Sequence, residues 1–191
     1  EKFILGGVGN VARNIASIGA KCTLLSLIGK DFASDKIKQL IINEKRINSK
    51  ILSSGNFKTP IKTRFIKNLK HLLRVDYELP NFIISKYLEK RCEDILKKNI
   101  DKSDLIILSD YNKGFLSKSI IKKIVNHAKN NNKIIIADPK KSDFSVYAGI
   151  DILTPNEKEI SEAARRKLKS ENEIITFARK IIVQHKIGEI L

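Results

Sequence analysis

The fold class is decided by the stretch Leu105-Ile106-Ile107-Leu108-Ser109-Asp110, an uninterrupted apolar run that ends in polar residues. Two further strand-like runs lie downstream, Ile134–Ala137 and Ile150–Leu153, and they too end in polar residues, at Asp138 and at Thr154-Pro155-Asn156. Helical periodicity of apolar residues surrounds the three runs, at 85–98, 117–130 and 171–183. Continuous apolar strands between amphipathic helices are typical of a parallel sheet covered by helices on both faces. The sequence therefore predicts an α/β fold with a mostly parallel, doubly wound sheet.

The upstream part of the chain first continues this alternation and then departs from it. Apolar periodicity predicts helices over 10–18 and 34–45, with a strand over 22–28 between them. The segment 47–78 instead predicts three short strands separated by turn-prone residues, at 47–52, 59–66 and 72–77. We expect this segment to form a small antiparallel β insertion in the alternating fold.

Polar residues follow each of the three predicted strands downstream. Asp110 follows the first apolar run, Asp138 the second, and Asn156 and Glu159 the third. Because ligands bind outside the carboxyl ends of the strands in open α/β sheets, these residues predict a site for a charged or polyhydroxylated ligand. The alternative is that each of them only caps a helix or closes a turn.

Two lysines near the same strand ends would suit a phosphorylated ligand. Lys113 follows Asp110 closely in the chain, and Lys140 follows Asp138. Ammonium groups pair with phosphate oxygens, and neighbouring carboxylates can hold Mg²⁺ through water.

A glycine-rich loop, Gly6-Gly7-Val8-Gly9-Asn10, precedes the first predicted helix. Glycines at such a place let a ligand approach the backbone, and the start of the helix offers free N–H donors. The loop satisfies neither the dinucleotide-binding fingerprint nor the phosphate-binding loop motif. A ligand contact and a purely structural turn remain equally compatible with it.

The charge balance is strongly basic. Of 191 residues, 37 are Lys or Arg and 21 are Asp or Glu, which leaves a formal net charge of +16. The basic residues are spread along the chain, and the 6% of aromatic residues are not interleaved with them as a stacking platform would require. A lysine-rich solvated surface is the favoured interpretation. A non-catalytic nucleic-acid-binding module is the alternative from a different class of protein.

Membrane and secretion signals are absent from the sequence. No apolar run approaches the ~18 residues that a membrane helix needs, and the first residues do not form a signal peptide. Cys22 and Cys92 are isolated from each other and have no metal-ligand spacing, so reduced thiols in a cytoplasmic protein are expected.

Because the chain contains no methionine, we expect its N-terminus to be a cut.

A family resemblance is carried by the stretch 6–20, GGVGNVARNIASIGA, and by motifs that follow it in order. These motifs are Lys62-Thr63-Arg64, residues 73–78 and 108–114, Asp138-Pro139-Lys140 with Asp143, Phe144 and Tyr147, and Leu153-Thr154-Pro155-Asn156 with Glu159. They resemble the PfkB (ribokinase-like) sugar kinase family over nearly the whole chain. Within that family they are most similar to the branch that phosphorylates D-glycero-β-D-manno-heptose 7-phosphate at O1, on the route to ADP-heptose and lipopolysaccharide core.

The resemblance implies a ribokinase-like fold and a sugar site. Gly6, Gly7 and Asn10 would contact sugar hydroxyls, and Arg64 and Arg74 would face the phosphate of the substrate. The segment 47–78 would belong to a β lid that covers the sugar and builds a homodimer interface. A salt bridge on a strand face is an equally good interpretation of the two arginines.

For the phosphoryl donor, the resemblance implies ATP with Mg²⁺. Asp110 and Lys113 would line the cleft between sugar and phosphates. Asn156 and Glu159 match the N-x-x-E element of the family, which acts near the ATP phosphates, with Glu159 reaching Mg²⁺ through water. Asp138 and Lys140 would lie beside them.

One family motif is missing from the chain. The anion-hole sequence G-A-G-D, whose Asp is the general base in the family, does not occur in the 191 residues. We therefore expect 1–191 to be a partial kinase domain, incomplete at both ends and inactive alone, with the catalytic base beyond Leu191. The alternative within the class is another PfkB kinase, acting on ribose, fructose or a fructose phosphate.

Overall fold

A computed structural model of the protein describes residues 2–79 and 82–191. The chain divides into two compact units, residues 1–83 and 84–191. No helix of the described residues is long and apolar enough to cross a membrane.

The first unit has two helices and four strands. In chain order they are α1 (Gly7–Ser17), β1 (Cys22–Ile28), α2 (Phe32–Ile42), β2 (Ile47–Ser53), β3 (Ile61–Lys67) and β4 (Lys70–Tyr77). β1 and β2 pair in parallel, with Cys22 beside Ile47 and Ile28 beside Ser53. β3 and β4 form an antiparallel hairpin. Leu5, which precedes α1, packs into one core with apolar residues of α1, α2 and the two parallel strands, namely Ala12, Leu24, Ile41 and Ile47.

The parallel pairing of β2 corrects one expectation. The sequence predicted that 47–52 belongs to an antiparallel insertion, whereas β2 runs parallel to β1 and continues the β–α–β alternation. Only β3 and β4, within 61–77, are antiparallel. The period of two along a strand identifies its faces but carries no information about the direction of its neighbour, and α2 supplies the crossover that a parallel pair requires.

The hairpin is anchored where the chain leaves β1. Asp31 caps α2 by accepting the N–H of Ser34 at 2.9 Å, and its other carboxylate oxygen accepts the N–H of Thr59 at 2.9 Å. The buried hydroxyl of Thr59 accepts the N–H of Gly29 at 2.8 Å. One acidic side chain therefore connects the start of α2 to the segment that leads into β3.

The two faces of the hairpin differ in chemistry. Lys62 and Arg64 of β3 lie opposite Asp76 and Arg74 of β4, and these four residues share one face. The other face carries apolar and aromatic side chains that are exposed in the structure, namely Ile61, Phe65, Leu73, Val75 and Tyr77. The hairpin is thus amphipathic, with a basic face and an apolar face.

The second unit alternates helices and parallel strands. Its elements are α3 (Lys86–Asn99), β5 (Leu105–Ser109), α4 (Lys118–Asn130), β6 (Ile134–Asp138), β7 (Ile152–Leu153), α5 (Glu157–Ala163), α6 (Glu171–His185) and β8 (Glu189–Ile190). Short 3₁₀ helices lie at Ile100–Lys102 and Phe144–Tyr147. The four strands are parallel and ordered β5-β6-β7-β8. The predicted parallel α/β pattern is therefore present.

Serine caps and apolar stripes explain the helices of this unit. The side chains of Ser85, Ser117 and Ser170 accept backbone N–H groups in the first turns of α3, α4 and α6. The apolar stripe of α4 is buried throughout, at Ile120, Ile121, Ile124, Val125 and Ala128. The core of the second unit also includes Ile135, Ala137 and Leu153 from the strands.

Candidate active site

The parallel register brings the polar strand ends of the second unit to one edge. Ser109 of β5 pairs with Asp138 of β6, and Ala137 of β6 pairs with Leu153 of β7. The chain segments that leave these three strands are therefore neighbours. Two ion pairs that cross between these segments define the candidate site.

The first ion pair belongs to Asp110, which is only 4% exposed. Its Oδ2 pairs with Nζ of Lys141 and accepts a hydrogen bond from the hydroxyl of Tyr147 at 2.7 Å. Its Oδ1 accepts the N–H of Asn112 at 2.7 Å. Both oxygens of this buried carboxylate are thus occupied by donors from the protein.

Tyr147 connects two loops of the site. It is fully buried in the 3₁₀ helix, and its hydroxyl donates to Asp110 while it accepts the N–H groups of Lys140 at 3.2 Å and Lys141 at 3.4 Å. Burial and, after it, the bond to Asp110 raise the pKa of the Tyr147 phenol. The phenol therefore stays protonated and serves as a hydrogen-bond donor to the carboxylate.

The second ion pair joins Lys140 to the start of α5. Nζ of Lys140 lies 2.8 Å from Oε1 of Glu159, which is 6% exposed. The hydrogen bond that Lys140 donates to Glu159 is the main cause of the raised pKa of Lys140. Glu159 and Asn156 also form a reciprocal capping box, in which each side chain accepts the backbone N–H of the other at 3.0 Å.

The capping box shows that Asn156 and Glu159 do cap a helix, which was the alternative to ligand binding that the sequence left open. Each residue satisfies a backbone N–H at the beginning of α5. Glu159 has in addition the charged partner Lys140. Both carboxylate oxygens of Glu159 and the amide oxygen of Asn156 thus already accept protein donors, and the side-chain NH₂ of Asn156 is the group of this pair that can donate to a ligand.

Asp138 is the carboxylate of the site that remains open. It ends β6 and is exposed, and among residues 2–79 and 82–191 no side chain or backbone group donates a hydrogen bond to its carboxylate. Partial burial of its carboxyl group is the main cause of its raised pKa, although the residue as a whole is exposed. The negative charges of Glu159 and Asp110 raise this pKa further, and the positive charge of Lys140 lowers it. A cation near Asp138 would therefore be electrostatically favoured.

Lys113 lies in the loop that follows Asp110. The residues on either side, Asn112 and Gly114, have φ of 53° and 84°. Two left-handed residues give this loop a tight, defined course, and Asn and Gly are the residues that tolerate it best. Lys113 is partly buried at the turn between them.

The first unit holds the other predicted site residues. Gly6 precedes α1, and Gly7 begins the helix with φ of 51°, a conformation that favours glycine. A Cβ on Gly6 would meet no atom within 4 Å, so its surroundings are open. Asn10 is exposed on α1. The loop therefore leaves accessible backbone at the start of a helix.

Arg64 and Arg74 face each other directly across the hairpin. Nε of Arg74 lies 3.0 Å from Asp76, and Nζ of Lys62 lies 2.7 Å from the same carboxylate. The hydrogen bond from Lys62, with a further contribution from Arg74, holds the pKa of Asp76 below its usual value. The salt bridge that the sequence allowed for Arg74 is therefore present. Among the described parts of the chain, no carboxylate pairs with Arg64.

The structure thus brings together the predicted residues Asp110, Asp138, Lys140, Asn156 and Glu159 at one sheet edge. It adds two that sequence reasoning did not assign to the site, Lys141 and Tyr147. Tyr147 belongs to the motif that carried the resemblance, and Lys141 follows its lysine directly. Neither the motif that contains Tyr147 nor the position of Lys141 next to Lys140 indicates that both side chains reach Asp110. Gly6, Gly7, Asn10, Arg64 and Arg74 lie in the first unit.

Proteins with open parallel α/β sheets bind their ligands in the crevice outside the carboxyl ends of the strands, which is where these carboxylates and lysines lie. The profile of the pfkB family carbohydrate kinases matches residues 1–188, and the chain belongs to this family.

Several curated relatives share the name bifunctional protein HldE. One from Rhodopseudomonas palustris (strain BisB18) is 37% identical over 180 residues, which are 93% of this chain and 36% of that protein. The one from Nitrobacter hamburgensis is 34% identical over 180 residues, 93% of this chain and 37% of that protein. The chain therefore spans a little over a third of the length of these relatives.

Solved structures share the fold at low sequence identity. The tetrameric inhibited form of phosphofructokinase-2 from Escherichia coli matches with a TM-score of 0.76 at 17% identity, over 97% of this chain and 60% of that chain. A possible 1-phosphofructokinase from Thermotoga maritima matches with a TM-score of 0.71 at 12% identity, over 95% and 58%. The predicted ribokinase-like α/β fold is thereby confirmed.

Proposed function

We propose that the protein transfers the γ-phosphoryl group of ATP to O1 of D-glycero-β-D-manno-heptose 7-phosphate, as a step towards ADP-heptose and the lipopolysaccharide core. The observation that carries the proposal is the meeting of Asp110, Asp138, Lys140 and Glu159 at the carboxyl ends of β5, β6 and β7. Membership of the carbohydrate kinase family and relatives named HldE support it. ATP as a substrate favours the cytoplasm as its compartment.

The nucleotide end of the site would use the strand ends of the second unit. Lys140 and Lys113 supply positive charge for the triphosphate, and Asn156 and Glu159 supply the N-x-x-E element beside it. The open carboxylate of Asp138 and the buried one of Glu159 fit a Mg²⁺ ion held through water, because magnesium prefers oxygen ligands and keeps much of its hydration shell. Bound Mg²⁺ would neutralise charge on the phosphates.

The residues that we propose for the sugar belong to the first unit. Two guanidinium groups directly opposite on one strand pair repel each other, and an anion between them relieves the repulsion. Arg64 and Arg74 can each donate two parallel N–H hydrogen bonds to a phosphate, which suits the 7-phosphate of the sugar. The accessible backbone at Gly6 and Gly7 and the amide of Asn10 would contact hydroxyl groups.

The chemistry of phosphoryl transfer needs positioning and charge stabilisation more than covalent help from the protein. The residues of this chain would hold and orient the two substrates and balance the charge of the phosphates. No G-A-G-D sequence occurs in the 191 residues, and no residue of the chain is assigned as the base.

The β3–β4 hairpin would be the lid of the site and the dimer contact. Its basic face would turn to the sugar phosphate, and its exposed apolar face, with Phe65 opposite Leu73, would pack on a second copy of the chain. An apolar face of this kind is typical of a surface that is covered by a partner.

The decisive experiment measures turnover of three sugars by the full-length protein with ATP and Mg²⁺. We expect heptose 7-phosphate to be phosphorylated with a kcat/KM at least about a hundredfold above fructose 6-phosphate and ribose, which is about 2.7 kcal/mol of discrimination. A preference for fructose 6-phosphate or ribose would assign the protein to a different PfkB substrate. Salt-dependent binding of nucleic acid without any turnover would contradict the kinase proposal.

A further inference from the structure

A largely buried hydrogen-bonded cluster of Asp110, Lys141 and Tyr147 lies at the strand-end edge of the second unit. Tyr147 is 0% exposed and Asp110 4%. The carboxylate of Asp110 receives the Tyr147 hydroxyl and the Lys141 ammonium on one oxygen and the N–H of Asn112 on the other. A carboxylate with this many internal donors is already satisfied, so it has little capacity left for a substrate.

The cluster fixes the loop that carries Lys113. Asp110 holds the beginning of that loop through the N–H of Asn112. Lys141 holds its end by donating to the carbonyl oxygen of Leu116 at 2.9 Å. Lys113 lies between these two attachment points, in the turn formed by Asn112 and Gly114.

The same cluster fixes the loop that carries Lys140. The Tyr147 hydroxyl accepts the backbone N–H groups of Lys140 and Lys141 while it donates to Asp110. A single phenol therefore couples the loop after β5 to the loop after β6. These loops carry the two lysines that the proposed function assigns to phosphates.

We propose that Tyr147 and Lys141 are positioning residues of the kinase site, which act through Asp110 to hold Lys113 in place for the transferred phosphoryl group. Asp110 is then an internal scaffold of the loop and has no direct contact with the sugar. The inference rests on the proposed function and deepens it, because it says which residues hold the phosphate-binding lysines in position.

The physical reason is that phosphoryl transfer is sensitive to small displacements of the charges around the phosphates. A misplacement of about 1 Å can cost up to ~10²-fold in rate. Replacing Tyr147 by Phe removes only the hydroxyl, so the ring keeps its packing against Phe144. Asp110 loses a donor, and the N–H groups of Lys140 and Lys141 lose their acceptor. The change therefore loosens the loop with little loss of core volume.

The test is a double-mutant cycle in the full-length protein, with Tyr147→Phe, Lys113→Met and the pair combined. We expect Tyr147→Phe to lower kcat about tenfold and to change the KM for ATP by less than about twofold. The loss in the combined variant should be clearly smaller than the product of the two single losses, because part of the effect of the hydroxyl passes through that lysine. Tyr87→Phe, at an exposed tyrosine of α3, is the matched control and should behave as wild type.

A second readout does not depend on turnover. Amide hydrogen exchange across 111–117 should be faster in Tyr147→Phe than in wild type and unchanged in Tyr87→Phe. If wild type turns over no sugar, the proposed function fails, and exchange alone decides whether the cluster holds the loop. If Tyr147→Phe does not fold, Lys141→Gln replaces it with the same expected pattern.

Two results would overturn the inference. One is that the losses in kcat of Tyr147→Phe and Lys113→Met multiply in the combined variant, because this would show that the two side chains act independently. The other is that exchange across 111–117 is the same in Tyr147→Phe as in wild type.

Discussion

Lys140 and Lys141 are neighbours in the chain, but their ammonium groups pair with carboxylates that follow different strands. Lys140 pairs with Glu159 at the start of α5, and Lys141 pairs with Asp110 after β5. The side chain of Lys140 is 53% exposed and that of Lys141 is 21% exposed. Two identical residues in sequence thus have different surroundings, and we expect different consequences when each is changed.

Lys141→Met should destabilise the protein, whereas Lys140→Met should weaken ATP binding. Removal of Lys141 leaves the buried carboxylate of Asp110 without its counter-charge, which costs about 3 kcal/mol. Lys140 forms a more exposed pair, and its loss should cost less than about 1 kcal/mol but raise the KM for ATP about tenfold. Urea denaturation and ATP kinetics measure the two effects.

The control for this pair is Lys158→Met, because Lys158 is exposed and 3.8 Å from Glu162. It should change neither stability nor the KM for ATP. Equal destabilisation by Lys140→Met and Lys141→Met would contradict the difference in burial.

Arg64→Gln should weaken binding of the sugar phosphate without destabilising the hairpin. Arg64 lies directly opposite Arg74, so its removal relieves a like-charge repulsion of roughly 0.2–1 kcal/mol. The same change removes a charged donor to the phosphate, and the KM for the sugar phosphate should rise about tenfold or more. The KM for ATP should stay unchanged.

Lys70→Gln is the matched control for Arg64→Gln, because Lys70 lies opposite Lys67 and forms a second like-charge pair at the turn of the same hairpin. It should leave the KM for the sugar phosphate unaltered. A larger KM in Lys70→Gln than in Arg64→Gln would move the phosphate site away from the arginines.

Phe65→Ser combined with Leu73→Ser should convert a dimer into monomers. The two residues are cross-strand partners on the exposed apolar face of the hairpin. Polar replacements there remove the apolar contact that would hold a second copy. Sedimentation velocity measures the change, and Leu69→Ser, at the exposed turn, is the control. A monomeric wild-type protein would refute the dimer.

Gly29→Ala should destabilise the first unit by about 1–3 kcal/mol. A Cβ at this position would collide with the Asp31 carboxylate and lie 2.7 Å from the carbonyl oxygen of Phe57, so the anchor of the hairpin would have to shift. Gly55→Ala is the control, because its Cβ would meet no atom within 4 Å. Thermal unfolding of both variants tests this prediction. Equal melting temperatures for Gly29→Ala and Gly55→Ala would contradict it.

Alkaline pH should destabilise the protein partly through Cys92. Burial raises the pKa of this thiol from 9.0 to about 12. Between these two values the unfolded chain loses a proton that the folded protein keeps, so the free energy of unfolding falls as the pH rises. The slope from one such group is at most about 1.4 kcal/mol per pH unit.

The measurement is urea denaturation at several pH values between 8 and 11, for wild type and Cys92→Ala. The variant is expected to be less stable at pH 8 because it removes buried volume, but its stability should fall less steeply above pH 9. Parallel curves for the two proteins would show that Cys92 does not titrate in this way.

Local patterns in the sequence were sufficient to predict most of the helices and strands of the second unit. The apolar runs 105–109 and 134–138 are strands, and serines placed before apolar stripes cap α3 and α4. Burial on both faces leaves an uninterrupted apolar run, so this signal requires no knowledge of distant residues. The polar residues after the runs then reach one edge because parallel strands share their direction.

The sequence could not show which partners those polar residues have. Tyr147 and Lys141 reach Asp110 over separations of 37 and 31 residues, and β2 pairs in parallel with β1, where an antiparallel arrangement was expected. Such contacts depend on how loops and strands pack, and the spacing along the chain does not encode them.

What the sequence by itself determined is therefore the class of fold and the sheet edge at which these polar residues meet, since both follow from periodicity and from the residues at strand ends. Only the tertiary structure decided which carboxylate is open and which is enclosed. Asp110 and Asp138 follow adjacent strands and look alike in sequence. Packing buries the first among three donors and leaves the second exposed, because Tyr147 and Lys141 fold over one strand end only.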